Sequence, residues 1–208
     1  MTLSIEYYYA LASPWSYLGN QALWRIAAQT GANIDPVIID YEIMFAAAGT
    51  IPLPGRPPLR KAYRLVELRR WSEIRGVALN PTPRYYRGEV EEPDERLGAL
   101  VVTAAKMAGL DSLKLGHAIS RALWAEGRFP FRPDELESIA DAEGFDGAAL
   151  LEAAARADTS AAYAAATQQS ITRGVFGMPF YIVNGEPFWG QDRIELLERA
   201  VRKQLAAS

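Results

Sequence analysis

Apolar side chains occupy every second position at the start of the chain, which is the period of a β-strand with one buried face. After this strand the apolar positions recur at helical spacing as far as Gly31, and Ser13 and Pro14 suit the N-cap and the first residue of that helix. A second strand is predicted at about residues 34–40, parallel to the first because a helix separates the two. The first strand is predicted to bury Leu3, Ile5, Tyr7 and Tyr9, with Ser4, Glu6 and Tyr8 on its other face.

The middle of the chain, from residue 58 to residue 173, shows helical spacing of apolar residues and almost no strand pattern. One helix is predicted to begin at Asp94 as N-cap and to end at Gly109. Further helices are predicted at 59–76, 111–126, 133–143, 147–157 and 160–172. A loop rich in proline and glycine, residues 49–58, precedes this block, and loops of that kind often border functional sites.

The last part of the chain returns to β-structure. Residues 180–183 and 187–189 are predicted as the strands of a hairpin, with Asn184-Gly185 as its two-residue turn. A final helix follows, and Asp192 and Glu195 are predicted to be its capping pair.

The order of these elements predicts the fold class. A strand, a helix and a parallel strand at the front, with a hairpin and a helix at the back, form the topology of a thioredoxin-like domain. The helical block lies between these two parts. We therefore expect an α/β fold, in which residues 1–45 and 174–208 form a thioredoxin-like domain and residues 46–173 form a large all-helical insertion.

The composition restricts the possible functions. Half of the 208 residues are hydrophobic and the formal net charge is −3, so the chain lacks the basic excess that nucleic acids and anionic membranes favour. The sequence has no cysteine, which excludes disulfides and an internal redox couple, and one histidine cannot form the usual transition-metal site. No P-loop, dinucleotide fingerprint, basic leader or membrane-spanning run occurs. We expect a cytoplasmic protein with a small-molecule ligand, without metal, nucleic acid or membrane partners.

The tetrapeptide Ser13-Pro14-Trp15-Ser16 stands where thioredoxin-like redox proteins carry Cys-x-x-Cys. Hydroxyls cannot exchange disulfides, but they can hydrogen-bond a thiolate that a ligand brings. Lowering a thiol pKa from about 8.5 to about 7 needs about 2 kcal/mol, and one charge-assisted hydrogen bond provides about 1.5–3 kcal/mol. Ser13 could therefore act without a histidine base. The alternative is that Ser13 is only a helix cap, and Ser16 is expected to be a solvated or capping hydroxyl.

Three segments together carry a family resemblance: 11–19 (LASPWSYLG), 174–180 (GVFGMPF) and 189–193 (WGQDR), with a weaker match at 60–71. They resemble the 2-hydroxychromene-2-carboxylate isomerase family. That family is related to kappa-class glutathione transferases and, more distantly, to DsbA oxidoreductases. The resemblance implies a glutathione cofactor whose sulfur is held by Ser13 as the catalytic residue.

The same resemblance assigns the remaining parts of glutathione. Met178-Pro179 resembles a cis-proline corner at which the main chain of Met178 pairs with the cysteinyl part, and Gln191 and Asp192 would hold the γ-glutamyl end. A basic residue, Arg60 or Lys61, would bind the glycine carboxylate. The family's asparagine in the preceding loop is absent, since Thr50 and Ile51 stand there.

Each assignment has a simpler alternative. Pro179 could be an ordinary proline at a strand start, and Asp192 could be merely a helix cap. The seven basic residues between Arg56 and Arg75 could form a solvated face. Residues 82–87, with aromatic and arginine side chains, could line the second-substrate pocket for a planar carboxylate or form a surface loop.

The resemblance implies an isomerase that interconverts 2-hydroxychromene-2-carboxylate and trans-o-hydroxybenzylidenepyruvate, or a related aromatic keto acid, in aromatic hydrocarbon catabolism. It also implies a homodimer. The alternatives are a kappa-like glutathione transferase or peroxidase and a non-enzymatic glutathione-binding module. Disulfide oxidoreductase activity is excluded because the sequence holds no sulfur pair.

Overall fold

The computed structural model describes residues 3–83 and 95–206. Its first elements are strand β1 (Ser4–Tyr9), helix α1 (Pro14–Thr30) and strand β2 (Asn33–Ile38). The two strands are parallel, with Ser4 opposite Asn33 and Tyr9 opposite Ile38, as the sequence predicts. Helix α1 ends at Gly31, whose φ of 71° is the left-handed conformation that glycine adopts without strain.

The sheet has four strands in the order β2-β1-β3-β4, where β3 is Phe180–Val183 and β4 is Glu186–Trp189. Strand β3 runs antiparallel to both β1 and β4. The turn Asn184-Gly185 has φ values of 47° and 83°, which the tight hairpin requires. The predicted hairpin is thus confirmed, and β1 lies between the parallel and the antiparallel part of the sheet.

Helices make up most of the rest of the chain. A helix that the sequence pattern missed, α2, begins after Asp40, whose side chain accepts from the main-chain N–H groups of Glu42 and Ile43. The helices are α2 (Tyr41–Ala48), α3 (Pro58–Arg75), α4 (Arg96–Met107), α5 (Ser112–Trp124), α6 (Pro133–Ala142), α7 (Gly147–Ala154), α8 (Ala157–Thr172) and α9 (Ile194–Ala206). The α/β thioredoxin-like fold class with many added helices is confirmed.

Two predicted boundaries lie close to residues that the structure places differently or does not describe. The predicted cap Asp94 lies outside the described residues, and the N-cap of α4 is Glu95. The predicted domain boundary between residues 45 and 46 falls inside α2. One hydrophobic core includes β1, α1, α4, α5 and α9 together, so the division into two domains stays a prediction.

Strand β1 buries Tyr8 on the face that was expected to be polar, while Ser4 on that face is exposed and Glu6 is half-buried. On the α1 side, the rings of Tyr181, Tyr7 and Tyr9 stack in sequence, with centroids 5.2 and 5.0 Å apart. On the other side, Tyr8 is 1% exposed and packs in a second core cluster with Met44 of α2. Helix α2 explains the difference, because it covers the face on which Tyr8 was expected to be polar.

None of the helices described, in 3–83 and 95–206, is long and apolar enough to cross a membrane. Helix α3 is the least buried of the long helices, and of its 18 residues only Leu68 is fully buried. It packs against α1.

Candidate active site

Ser13 caps α1 at the end of a β-turn. Its main-chain N–H donates to the carbonyl of Ala10 at 3.2 Å, and its Oγ accepts from the N–H of Ser16 at 3.2 Å. The side chain is half-buried, and no residue in the described ranges accepts its O–H proton. Because the oxygen is already used as an acceptor, the hydroxyl can donate to an anion at the start of the helix.

Ser16 does not have the environment expected for it. The residue is 1% exposed, and its Oγ has no hydrogen-bond partner among the residues described. Its main-chain N–H, not its hydroxyl, takes part in the cap. The expectation of a solvated or capping hydroxyl is therefore wrong, because the side chain points into the interior beneath the first turn of α1.

The Met178-Pro179 peptide bond is cis, as predicted. Tyr8 lies opposite Phe180 in the sheet, so Pro179 lies at the same end of the sheet as the end of β1, from which the Ser13 turn leaves. Within the described residues, no hydrogen bond is made by the main chain of Met178. An extended ligand could therefore pair with that main chain as an added strand would.

The corner Gly190-Gln191-Asp192 adjoins the same end of the sheet. The N–H of Gly190 donates to the carbonyl of Pro179 at 2.9 Å, which ties this corner to the cis-proline segment. A Cβ on Gly19 of α1 would lie 3.0 Å from the Cβ of Gln191. This glycine therefore lets α1 approach the corner closely, and Ser13, Met178 and Gln191 belong to elements that meet at one end of the sheet.

The predicted capping pair of the last helix is wrong. Residues Gln191–Arg193 form a 3-10 turn without a side-chain cap, and α9 follows it. The Asp192 carboxylate is exposed and pairs with Arg193 at 2.6 Å, whereas Glu195 binds Arg75 of α3 at 2.7 Å. The Asp192 carboxylate is thus accessible to a ligand ammonium that displaces Arg193.

Arg75 also belongs to this corner, although in the sequence it is only one of the seven basic residues of the segment 56–75. Its guanidinium donates to the Oε1 and the main-chain carbonyl of Gln191, and its side chain is 9% exposed. Gln191 is 2% exposed. The acceptor oxygen of its side chain is therefore occupied, which leaves the amide NH2 as its donor group. No local pattern in the sequence indicates this contact.

Arg60 and Lys61 lie exposed in the first turn of α3. The Nζ of Lys61 is 3.4 Å from the carbonyl of Pro54, and in the described part of the chain neither side chain hydrogen-bonds to Ser13 or Met178. Thr50, where the family's asparagine was expected, donates its hydroxyl to the carbonyl of Phe176 at 3.0 Å. Of the loop 82–87, residues 84–87 lie outside the described residues.

His117 belongs to the interior rather than to the site. Its ring stacks on Tyr17 at 5.2 Å and meets the edge of Trp24 at 4.8 Å, and its Nδ1 lies 3.2 Å from the Nδ2 of Asn20. Burial, with a smaller contribution from Arg121, lowers the pKa of His117 to about 4. It is therefore neutral at pH 7. Nowhere in 3–83 and 95–206 do three or more metal-ligating side chains cluster.

Comparison with known proteins gives three further findings. The family described as DSBA-like thioredoxin domain matches residues 4–202. A 2-hydroxychromene-2-carboxylate isomerase of Sphingobium xenophagum is 30% identical over 199 residues, covering 95% of this chain and 97% of that one. The isomerase of that name from Pseudomonas sp. (strain C18) is 28% identical over 202 residues, covering 95% and 89%.

Solved structures agree with these sequence matches. A 2-hydroxychromene-2-carboxylate isomerase superposes with a TM-score of 0.77 at 25% identity, covering 97% of this chain and 95% of that one. The cytosolic disulfide reductase DsbM from Pseudomonas aeruginosa, solved with GSH, superposes with a TM-score of 0.65 at 19% identity, covering 96% and 100%. At 19% identity the match to DsbM shows only that the two chains share a fold.

Proposed function

The chain belongs to the DSBA-like thioredoxin domain family and is an enzyme of the isomerase type found in its relatives, and from this premise we propose that its isomerisation depends on glutathione. The substrate proposed is 2-hydroxychromene-2-carboxylate, trans-o-hydroxybenzylidenepyruvate or a related aromatic keto acid, the class that the relatives' name indicates. The proposal includes Ser13 as the catalytic residue. It also includes a homodimer in the cytoplasm that takes part in aromatic hydrocarbon catabolism.

One observation carries this proposal: the Ser13 hydroxyl at the start of α1 has its oxygen engaged by Ser16 N–H and its proton unused among the described residues. A hydrogen bond to a thiolate contributes about 1.5–3 kcal/mol, and the helix N-terminus adds about 0.3–1 kcal/mol. Together these stabilise a thiolate by enough to populate it at neutral pH. The half-buried position limits competition from water.

The other contacts of glutathione would come from the elements around Ser13. The main chain of Met178, beside Pro179, would pair with the cysteinyl unit, and the carboxylate of Asp192 would bind the ammonium of the γ-glutamyl end. Gln191 would donate its amide NH2, because Arg75 occupies its oxygen. Arg60 or Lys61 would meet the glycine carboxylate from the exposed start of α3.

When bound, glutathione would supply a nucleophilic sulfur for reversible addition to the conjugated system of the substrate. This addition would allow opening of the chromene ring and rotation about the former double bond, and the sulfur would leave with the electron pair that formed its bond. Ser13 keeps that sulfur ionised before addition and after expulsion. The sequence has no cysteine that could replace it. The reaction needs no oxidant or reductant, which fits a site without a redox pair.

A direct test follows the interconversion of hydroxychromene carboxylate and hydroxybenzylidenepyruvate by absorbance, with glutathione and with ophthalmate, in which a methyl group replaces the thiol. We expect turnover only with glutathione, and a rise in melting temperature at millimolar concentrations of either tripeptide. Turnover that is equally fast without thiol would contradict the proposed mechanism. Absence of any shift with both tripeptides would contradict the proposed binding site.

A further inference from the structure

The peptide group between Leu11 and Ala12, immediately before Ser13, is held from both sides. A carboxylate oxygen of Glu95 accepts from the N–H of Ala12 at 2.6 Å. The hydroxyl of Ser120 donates to the carbonyl of Leu11 at 3.0 Å. The two partners come from the start of α4 and from α5, while the peptide group belongs to the turn after β1. Both polar atoms of a single peptide are therefore fixed by the helical block.

All four residues of this arrangement are buried. Leu11 is 0%, Ala12 8%, Glu95 7% and Ser120 3% exposed. Water cannot easily replace either partner in such a place, and a buried peptide group without a partner is costly. A hydrogen bond to a carboxylate is also stronger than one between neutral groups. The orientation of this peptide is thus set by Glu95 and Ser120.

The peptide is the central one of the β-turn from Ala10 to Ser13, which the N–H of Ser13 closes. The central peptide of such a turn has two orientations, those of types I and II, which differ by a flip of about 180°. The flipped form needs φ > 0 at Ala12, and among the non-glycine residues described only Asn184 has a positive φ. A flip would also turn the carbonyl of Leu11 towards the carboxylate of Glu95. Type II is therefore opposed by electrostatics as well as by sterics.

We propose that Glu95 and Ser120 are positioning residues for Ser13, because they clamp the central peptide of the turn that Ser13 closes and from which its side chain leaves. They act through the turn and touch neither substrate nor cofactor. This inference rests on the proposed role of Ser13 and extends it: two helices of the middle of the chain determine the geometry of a corner built by its first residues. A shift of the corner by about 1 Å is enough to lower turnover strongly.

The test compares E95L, E95Q and S120A with the wild type. Leucine removes the acceptor, whereas the glutamine carbonyl keeps an acceptor of the same length without the charge. Thr103→Val is the matched control, because Thr103 is also buried and donates its hydroxyl to a carbonyl, that of Ala99 at 2.8 Å, within α4. It removes a comparable bond from the same helical block without touching the turn.

Two measurements are made on each protein. Amide hydrogen exchange of Ala12, followed by NMR without glutathione, reports the clamp itself, and kcat and KM for glutathione report the position of Ser13. We expect exchange at Ala12 to be roughly tenfold faster or more in E95L, with kcat reduced by a similar factor and KM changed less. S120A should show a smaller effect on kcat, E95Q should keep more protection and turnover than E95L, and T103V should match the wild type.

The outcomes separate the two proposals. Wild-type exchange at Ala12 and wild-type kcat in E95L, or in S120A and E95Q if E95L fails to fold, would overturn the clamp. An equal loss of kcat in E95Q and E95L, with Ala12 still protected from exchange in E95Q, would also overturn it, because turnover would then fall while the clamp remains. If the wild type neither binds nor uses glutathione, the proposed function fails, while the exchange of Ala12 still decides whether the clamp exists.

Discussion

The guanidinium of Arg75 holds Gln191 by two oxygens, donating to its side-chain Oε1 at 2.8 Å and to its main-chain carbonyl at 2.6 Å. These residues are 116 positions apart in the sequence. A third bond joins Arg75 to Glu195 at 2.7 Å, and its guanidinium lies 5.1 Å from the ring centroid of Trp71. The end of α3 therefore fixes the path of the chain between β4 and α9.

Arg75→Ala should lower the free energy of unfolding by about 3 kcal/mol, since it leaves the buried oxygens of Gln191 without their donor. Glutathione binding should weaken as well. Once Gln191 is released, the next residue, Asp192, is no longer held in place to bind the ligand ammonium. Chemical denaturation and calorimetric titration measure the two effects. Arg70→Ala is the control: it removes a solvent-screened surface pair with Glu67 and should change the stability far less than Arg75→Ala. Equal stability of the two variants would contradict the structural role given to Arg75.

Ser13→Ala should reduce turnover by about 10- to 100-fold, the equivalent of one charge-assisted hydrogen bond, and raise the pKa of the bound thiol. Loss of the helix cap should cost only about 1 kcal/mol of stability. The thiolate absorbance of the glutathione complex, titrated against pH, reports the pKa directly.

Ser16→Ala is the matched control for this change, because Ser16 is a neighbouring hydroxyl that is buried and has no described hydrogen-bond partner. Its removal should leave both the thiol pKa and the stability nearly unchanged. If Ser16→Ala raised the thiol pKa and Ser13→Ala did not, the catalytic role would belong to the other hydroxyl.

Protonation of His117 should make the free energy of unfolding depend on pH. Its pKa is about 4 in the folded chain and near 6.5 when the chain unfolds, so the unfolded state binds the proton first as the pH falls. Stability is therefore fully present above 6.5 and is lost between 6.5 and 4, by up to about 3 kcal/mol. His117→Gln should flatten this part of the curve of unfolding free energy against pH. An unchanged slope would show that other groups are responsible for it.

Gly177→Ala should displace the indole of Trp189, since an added Cβ would lie 2.9 Å from its Cε2 atom. We expect a loss of about 1–3 kcal/mol and a shift of the Trp189 indole N–H signal in NMR spectra, with the Trp24 signal unchanged. In the Trp189→Ala background the same substitution should cost little, because the obstructing ring is gone. An equal cost in both backgrounds would mean that the strain arises in the main chain.

The sequence predicts the parts of this fold that depend on local patterns. Ser13 and Gly31 bound α1 because caps are local chemistry, and Asn184-Gly185 forms its turn because both residues tolerate positive φ. The cis bond at Pro179 was predicted from its motif. The predictions that were wrong concern residues whose surroundings come from distant parts of the sequence. Helix α2 covers Tyr8, and the interior encloses Ser16.

The candidate site also contains some residues that the sequence identifies and others that it does not. Ser13, Met178 and Asp192 stand in motifs that resemblance alone identifies. Arg75, Glu95 and Ser120 do not, because each acts on a partner far along the chain, and a buried carboxylate beside a main-chain N–H has no periodic pattern. Arg75 was visible only as one charge in a basic segment. Its function is set by the packing of α3 against α1 and by its ion pair with Glu195 of α9.

The pairing of β1 with β3 determines when the proposed site can form during protein synthesis. Tyr7 has Tyr181 as its neighbour in the sheet, and at about 5–20 residues per second the ribosome needs roughly ten seconds or more to supply that partner. Until then a nascent chain can form the Ser13 turn but has neither Met178-Pro179 nor Gln191 to place beside it. A translation product that ends before Met178 therefore lacks the Met178-Pro179 and Gln191 parts of the proposed site.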